Sequence, residues 1–322
     1  MLKGKSTGLK GEKFYIFNKG NTILLRKPYD DEIYIYEKNF KGSDYKLNQK
    51  FLLKASWGLI GLTILSNELI VTSGRKFIFI FKKDKNSHYI KHQELLNGNW
   101  AEITIIKELN NIQDHFAVCG WYGFMIFKRQ NNDKYEIELE LNDSNGISHI
   151  GDFLEIKGKE RSFILCGSDN IIIIKDKNIL NKIEFQEQAR KSWLYANYIC
   201  EFKEELFFAS GERYITLINT NDNSFKQIDI LKEDKFDQRK KFPLLDNSAI
   251  YKYNNNSIIL LIKKGIFIIQ IFESERIQVN IHINIGINHY NYIGFDYDAK
   301  LLYYVKKGFL CKLKLNKKYI YK

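Results

Sequence analysis

The side chains best suited to ligate a metal or serve as nucleophile and base are six histidines and four cysteines. His88 and His92 have the spacing of a metal-binding helix face, but they open a β-type run, Tyr89 to Leu96, with no third ligand nearby. His115 follows Asp114 in a predicted turn, and no Ser or Cys elbow accompanies it. Cys119 and Cys166 each stand immediately before a glycine. That recurrence reads either as a paired redox or metal site or as two small core residues in equivalent slots, and the second is favoured. The sequence holds no CxxC, GxSxG, HExxH or P-loop, and no GxGxxG opens a helix. The expectation is therefore a non-catalytic chain with no metal ligand set and no cofactor. A catalytic site assembled from distant segments stays open, because it would leave no local motif.

The elements that position these residues repeat. Six segments share an apolar run, a glycine and a second apolar run: ELIVTSGRKFIFIF, HFAVCGWYGFMIF, SFILCGSDNIIII, LFFASGERYITLI, IILLIKKGIFIIQIF and LYYVKKGFLCKLKL. Their glycines are Gly74, Gly120, Gly167, Gly211, Gly265 and Gly308, at spacings of 46, 47, 44, 54 and 43. One period before Gly74 lies Pro28, between TILLRK and EIYIY, which supplies a seventh, degenerate copy.

Each copy carries four strand-like runs. Tyr135 to Leu141 alternates polar and apolar, so one face is buried and one is wet. Ile171 to Ile174 is apolar throughout and reads as a central strand covered on both faces. Asn/Asp/Lys-rich separators such as RQNNDK read as turns. Four antiparallel strands every ~40–45 residues is the period of a propeller blade. Radial stacking lets each sheet cover its neighbours. The predicted fold is all-β, a seven-bladed β-propeller of four-stranded antiparallel blades, with a tolerance of one blade (six or eight). It occupies residues 12–322 as a single domain after an N-terminal segment, 1–11. Either the last run, Lys318 to Tyr321, or that N-terminal segment would close the ring.

The segment CGSDNIIIIKD, Cys166 to Asp176, resembles the WD-repeat family, as do TSGRKFIFIFK and ASGERYITLIN. The family's Trp-Asp slot holds Tyr36-Glu37, Phe81-Lys82, Phe127-Lys128, Ile174-Lys175 and Ile218-Asn219. The resemblance implies a ring with a central channel that serves as a protein-assembly platform. Fold alone assigns no function.

Net charge is +12, compatible with an acidic protein, nucleic acid or anionic lipid as partner. Heavy use of Ile, Lys and Asn throughout also makes much of this charge a compositional trait. The N-terminus, MLKGKSTGLKGEK, lacks the apolar core of a signal peptide, and no apolar stretch approaches the ~20 residues of a membrane span. With no disulfide framework, a cytoplasmic, reducing setting is expected.

In a blade, the turn between the second and third strands emerges on the same side as the link to the next blade. On that face fall Arg75, Trp121, Tyr122 and Arg213 from the turns, and Trp57, Trp100 and Trp193 from the links. The long spacing marks an insertion there, Lys232 to Asn247, carrying Arg239, Lys240 and Lys241. Trp, Tyr and Arg are enriched at binding hot spots. The expectation is a protein partner on this face, with nucleic acid as the second class and anionic lipid last. Trp57, Trp100 and Trp193 also suit wedges between blades, which leaves Trp121 the best surface anchor. The turns at the opposite end, such as Lys82 to His88 and Arg129 to Lys134, read as solvated.

Overall fold

The computed structural model describes residues 5–10, 13–17, 21–26, 32–38, 45–52, 61–74, 77–96, 103–121, 123–147, 149–167, 170–184, 198–203, 206–210, 214–219, 226–232, 249–262, 265–271, 277–283, 292–296, 300–306 and 309–315. The described chain opens on β1 (Lys5–Lys10). Sheet 1 follows as β2 (Lys13–Phe17), β3 (Thr22–Arg26), β4 (Glu32–Lys38) and β5 (Tyr45–Leu52). Sheet 2 is β6 (Gly61–Ile64), β7 (Ile70–Ser73), β8 (Phe77–Lys83) and β9 (Tyr89–Leu96). Sheet 3 is β10 (Ile103–Glu108), β11 (His115–Gly120), β12 (Gly123–Arg129) and β13 (Tyr135–Asn142). Sheet 4 is β14 (Ile150–Glu155), β15 (Ser162–Gly167), β16 (Asn170–Lys175) and β17 (Asn178–Glu184). Sheet 5 is β18 (Tyr198–Lys203), β19 (Leu206–Ser210), β20 (Tyr214–Asn219) and β21 (Lys226–Lys232). Sheet 6 is β22 (Ala249–Asn254), β23 (Ser257–Ile262), β24 (Gly265–Ile271) and β25 (Ile277–Ile283). Sheet 7 is β26 (Tyr292–Asp296), β27 (Leu301–Lys306) and β28 (Phe309–Lys314), completed by β1, which pairs antiparallel with β28.

Every sheet is antiparallel, and the first six are simple up-and-down meanders. The edge position beside β28 is filled by the N-terminal strand. Lys5–Lys10 of the predicted N-terminal segment is thus built into the last sheet, and the alternative strand, Lys318 to Tyr321, lies outside the described residues.

Why the central strands are apolar throughout follows from where their side chains go. Along β11, Phe116 and Val118 face the core shared with sheet 2, whereas Ala117 and Cys119 face the core shared with sheet 4. Along β16, Ile172 and Ile174 face sheet 3, whereas Ile171 and Ile173 face sheet 5. Period-2 alternation with both faces covered leaves no wet side. Similar cores join sheets 1 and 2 and sheets 6 and 7. One more joins the two ends of the chain: Phe14, Ile23, Leu25 and Tyr34 of sheet 1 pack with Tyr303 and Leu310 of sheet 7. Sheets 5 and 6 meet through β18 and β22.

The turns repeat as well. Glu68, Asp114, Arg161 and Lys300 take left-handed φ of 64, 60, 53 and 53° at the turn between the first and second strands of four sheets. In the first six sheets the fourth strand also carries a bulge opposite the same place, leaving out Asn48, His92, Glu138, Leu180, Ile228 and Asn280 in turn. A bulge turns the strand and re-aims its side chains. In sheets 1 and 2 the residue that follows is glutamine, and it clasps the next sheet. Gln49 donates to the Tyr89 carbonyl (3.1 Å) and accepts from the Tyr89 N–H (2.9 Å). Gln93 does the same with Tyr135, at 2.8 Å in both directions.

Candidate functional site

Trp121 is the one predicted anchor among the described residues. Tyr122, Trp57, Trp100, Trp193, Arg75, Arg213, Arg239, Lys240 and Lys241 lie outside them. Trp121 occupies the turn between β11 and β12, and Gly123 lets that turn close. Gly123 has φ of 138°, and a Cβ there would come within 2.0 Å of the Leu141 carbonyl oxygen. The turn presents Trp121 at 52% exposure. The indole meets the His149 ring edge-on at 5.3 Å and 77°. His149 belongs to the link entering sheet 4, and its N–H donates to the Trp121 carbonyl at 2.8 Å. His149 was not singled out by the sequence. Its signal, an isolated Ser-His before β14, has no spacing of its own.

The first strands hold a second polar group. Asp152 on β14 is buried. It accepts from Lys107 Nζ of β10 (2.5 Å), from its neighbour's N–H at Phe153 (2.8 Å) and from the Ile199 N–H of β18 (3.2 Å). Lys107 also donates to the Phe153 carbonyl (2.6 Å) and lies 5.1 Å from that ring's centroid. Three successive sheets are joined through one carboxylate.

Cys119 and Cys166 are buried and free. Burial, and secondarily the Asp152 charge, pushes both thiols well above the ordinary cysteine range. Thiols that resist ionisation are poor nucleophiles and poor metal ligands, which fits the core reading. Among the described residues no group of three or more His, Cys, Asp or Glu is arranged to hold a metal ion.

His115 corrects an expectation. The turn position belongs to Asp114, and His115 is the buried first residue of β11. Its Nδ1 lies 2.5 Å from the Gln113 carbonyl, and its Nε2 lies 3.2 Å from Glu138 Oε2. Glu138 is also paired with Arg161 of sheet 4. The turns at this end are likewise more than solvated. Lys82 of sheet 2 reaches Asp133 of sheet 3 at 2.5 Å, and Arg129 pairs with both Asp133 (2.5 Å) and Asp114 (3.2 Å). Opposite charges that look scattered along the chain are brought together by the repeat.

The hydrogen bond from Lys82, then that from Arg129, holds the Asp133 carboxyl at about 2, below its ordinary 3.8. A depressed folded-state value means the pairing stabilises the fold above the unfolded pKa, and that contribution is lost as pH falls from about 4 to about 2. NMR titration should place the Asp133 midpoint near 2. In a Lys82→Ala variant it should move up toward the ordinary carboxylate value. An unmoved midpoint would show that Lys82 does not hold this carboxylate.

Against solved structures, the chain superposes on a chain of a mitotic checkpoint complex with a TM-score of 0.71 at 9% identity. The match covers 98% of this chain and 94% of that one. The fold is a β-propeller. A catalytically inactive virginiamycin B lyase from Staphylococcus aureus, with quinupristin, aligns at TM-score 0.66 and 14% identity over 98% of this chain and 99% of that one. Sqt1 of Saccharomyces cerevisiae aligns at 0.63 and 12% identity, over 98% of both chains. No family model and no curated protein matches the chain. Identities this low carry the propeller and nothing of its chemistry. The structures it superposes on include a chain of one complex and a lyase. Among the described residues no helix is long and apolar enough to cross a membrane.

Proposed function

We propose that this chain is a seven-bladed propeller that serves as a non-catalytic protein-interaction scaffold. The observation that carries the reading is Trp121, a large apolar side chain half in water, held in a closed turn and braced by His149. A pre-positioned indole loses little freedom when a partner covers it, which suits a hot spot. Seven four-stranded sheets among the described residues, with a core joining the first to the last, support the blade count. Superposition on a chain of a checkpoint complex is consistent with a role in assembly. Free buried cysteines suit a cytoplasmic, reducing setting.

The test compares affinity purification from the native source with wild-type and Trp121→Ala bait. At least one protein captured by the wild type should be lost or reduced roughly tenfold with the variant, the scale of a hot-spot truncation. Undiminished capture of every partner would sink the assignment of this face. A parallel salt titration with single-stranded RNA addresses the other class. Retention at low salt that falls steeply with salt would favour nucleic acid over the scaffold reading.

A further inference from the structure

At the opposite end of the sheets from Trp121, a cleft of about 490 Å³ opens beside sheet 4, lined by Ile156, Lys159, Arg161, Lys175, Asp176 and Leu180, among others. Its apolar wall is Ile156 together with Leu180, the bulged residue of β17. In sheets 2 and 3 the bulged residue of the fourth strand is polar and reaches the next sheet. His92 Nε2 contacts the Asp133 carbonyl at 3.2 Å, and Glu138 pairs with Arg161. In sheet 4 the bulged residue is Leu180, which is 45% exposed, and its neighbour Ile179 is 42% exposed. Two adjacent apolar side chains therefore stand in water on β17, which lies at the edge of its sheet and has β16 as its one partner among the described residues. Edge strands are ordinarily blunted by charge at such places. The charge here lies around the apolar pair. Lys175 and Lys177 are exposed, and no carboxylate among the described residues pairs with either.

We propose that β17 and this cleft form a docking site for an extended, acidic segment of a protein partner. The segment would lie beside β17 and use its outward backbone groups. It would place an apolar side chain against Leu180 and carboxylates near Lys175 and Lys177. An alternating acidic and apolar strand satisfies both demands, because successive side chains face opposite ways. Nucleic acid fits less well. Among the described residues the lining has no aromatic ring for a base to stack on. The site deepens the scaffold reading and rests on it in taking protein as the partner class, but not on the Trp121 face.

The probe is a fluorescein-labelled peptide of about ten residues, long enough to run the length of such a strand, alternating glutamate with leucine and valine. Fluorescence anisotropy with the full chain should show saturable binding. Affinity should fall roughly tenfold or more for Leu180→Asp and for the Lys175→Glu, Lys177→Glu pair, and stay unchanged for Trp121→Ala. All these positions are exposed, so the variants should fold, and circular dichroism checks that they do. Hydrogen exchange should slow in 178–184 when the peptide is present. Absence of saturable binding, equal affinity in the β17 variants, or equal binding of a lysine-for-glutamate peptide would each overturn the proposal. So would a single-stranded RNA of similar length that displaces the peptide and is itself lost with the lysine pair. If the peptide binds as expected while Trp121→Ala bait keeps every native partner, the β17 site stands and the Trp121 face falls.

Discussion

Phe124→Ala should lower the stability of the whole chain by about 3–5 kcal/mol, the cost of emptying an aromatic site in a close-packed core. Phe124 lies on β12 with no exposed surface. Its ring meets Phe153 edge-on at 5.1 Å and Phe163 at 5.2 Å, both in the next sheet. The side chain therefore fills the seam between sheets 3 and 4, and truncation leaves a cavity that neither sheet can close by itself. A urea titration should show a lower midpoint with an unchanged slope. Ile137→Ala is the control. Ile137 belongs to the same sheet but is 48% exposed, so its removal should change stability by no more than about 0.5 kcal/mol. Equal effects for the two would mean that sheets 3 and 4 do not share a core.

Much of this architecture could be read in advance, because its causes are local. The repeat glycines mark tight turns, and Gly123 shows how little room such a turn leaves. Runs like Ile171 to Ile174 announce strands with no wet face. The completion of the last sheet was harder to read. The completing strand, KSTGLK, has no apolar alternation, since it pairs at the edge of that sheet by backbone contacts. The clasps between sheets were hidden for another reason. Gln49 and Tyr89 are 40 residues apart, and the bond is from side chain to backbone, so no residue type at Tyr89 betrays it. The same holds for Lys82, Arg129 and Asp133, which looked like ordinary turn residues until the repeat set them side by side. Of the proposed face, the sequence picked out Trp121 by its turn position. It gave no sign of His149 or of the apolar pair on β17, where the departure is from a bulge that appears only once the strands are paired.

Lys107→Met should be among the most damaging changes near the ring's first strands. The methionine keeps most of the side-chain volume, so the loss is chiefly that of the ammonium. Asp152 would remain buried with the N–H groups of Phe153 and Ile199 as donors but without its cation. The carboxylate is buried but the lysine is more than a third exposed, so the loss is that of a charge-assisted hydrogen bond to a buried group, about 1–3 kcal/mol, rather than that of a fully buried pair. Asp152→Ala acts differently. Lys107 is 36% exposed and can turn toward water, whereas the two backbone N–H groups lose their acceptor. An unsatisfied buried donor costs about 1–3 kcal/mol. The double variant should therefore be less destabilised than the sum of the two, by about 0.5–3 kcal/mol, because the second change removes what the first left stranded. Thiol labelling gives an independent readout. Cys119 and Cys166 are buried in the cores on either side of β15. In the single variants both should react faster than in the wild type under native conditions, in step with the lost stability. Additive effects in the double variant, with unchanged labelling, would show that the carboxylate does not tie the three sheets together.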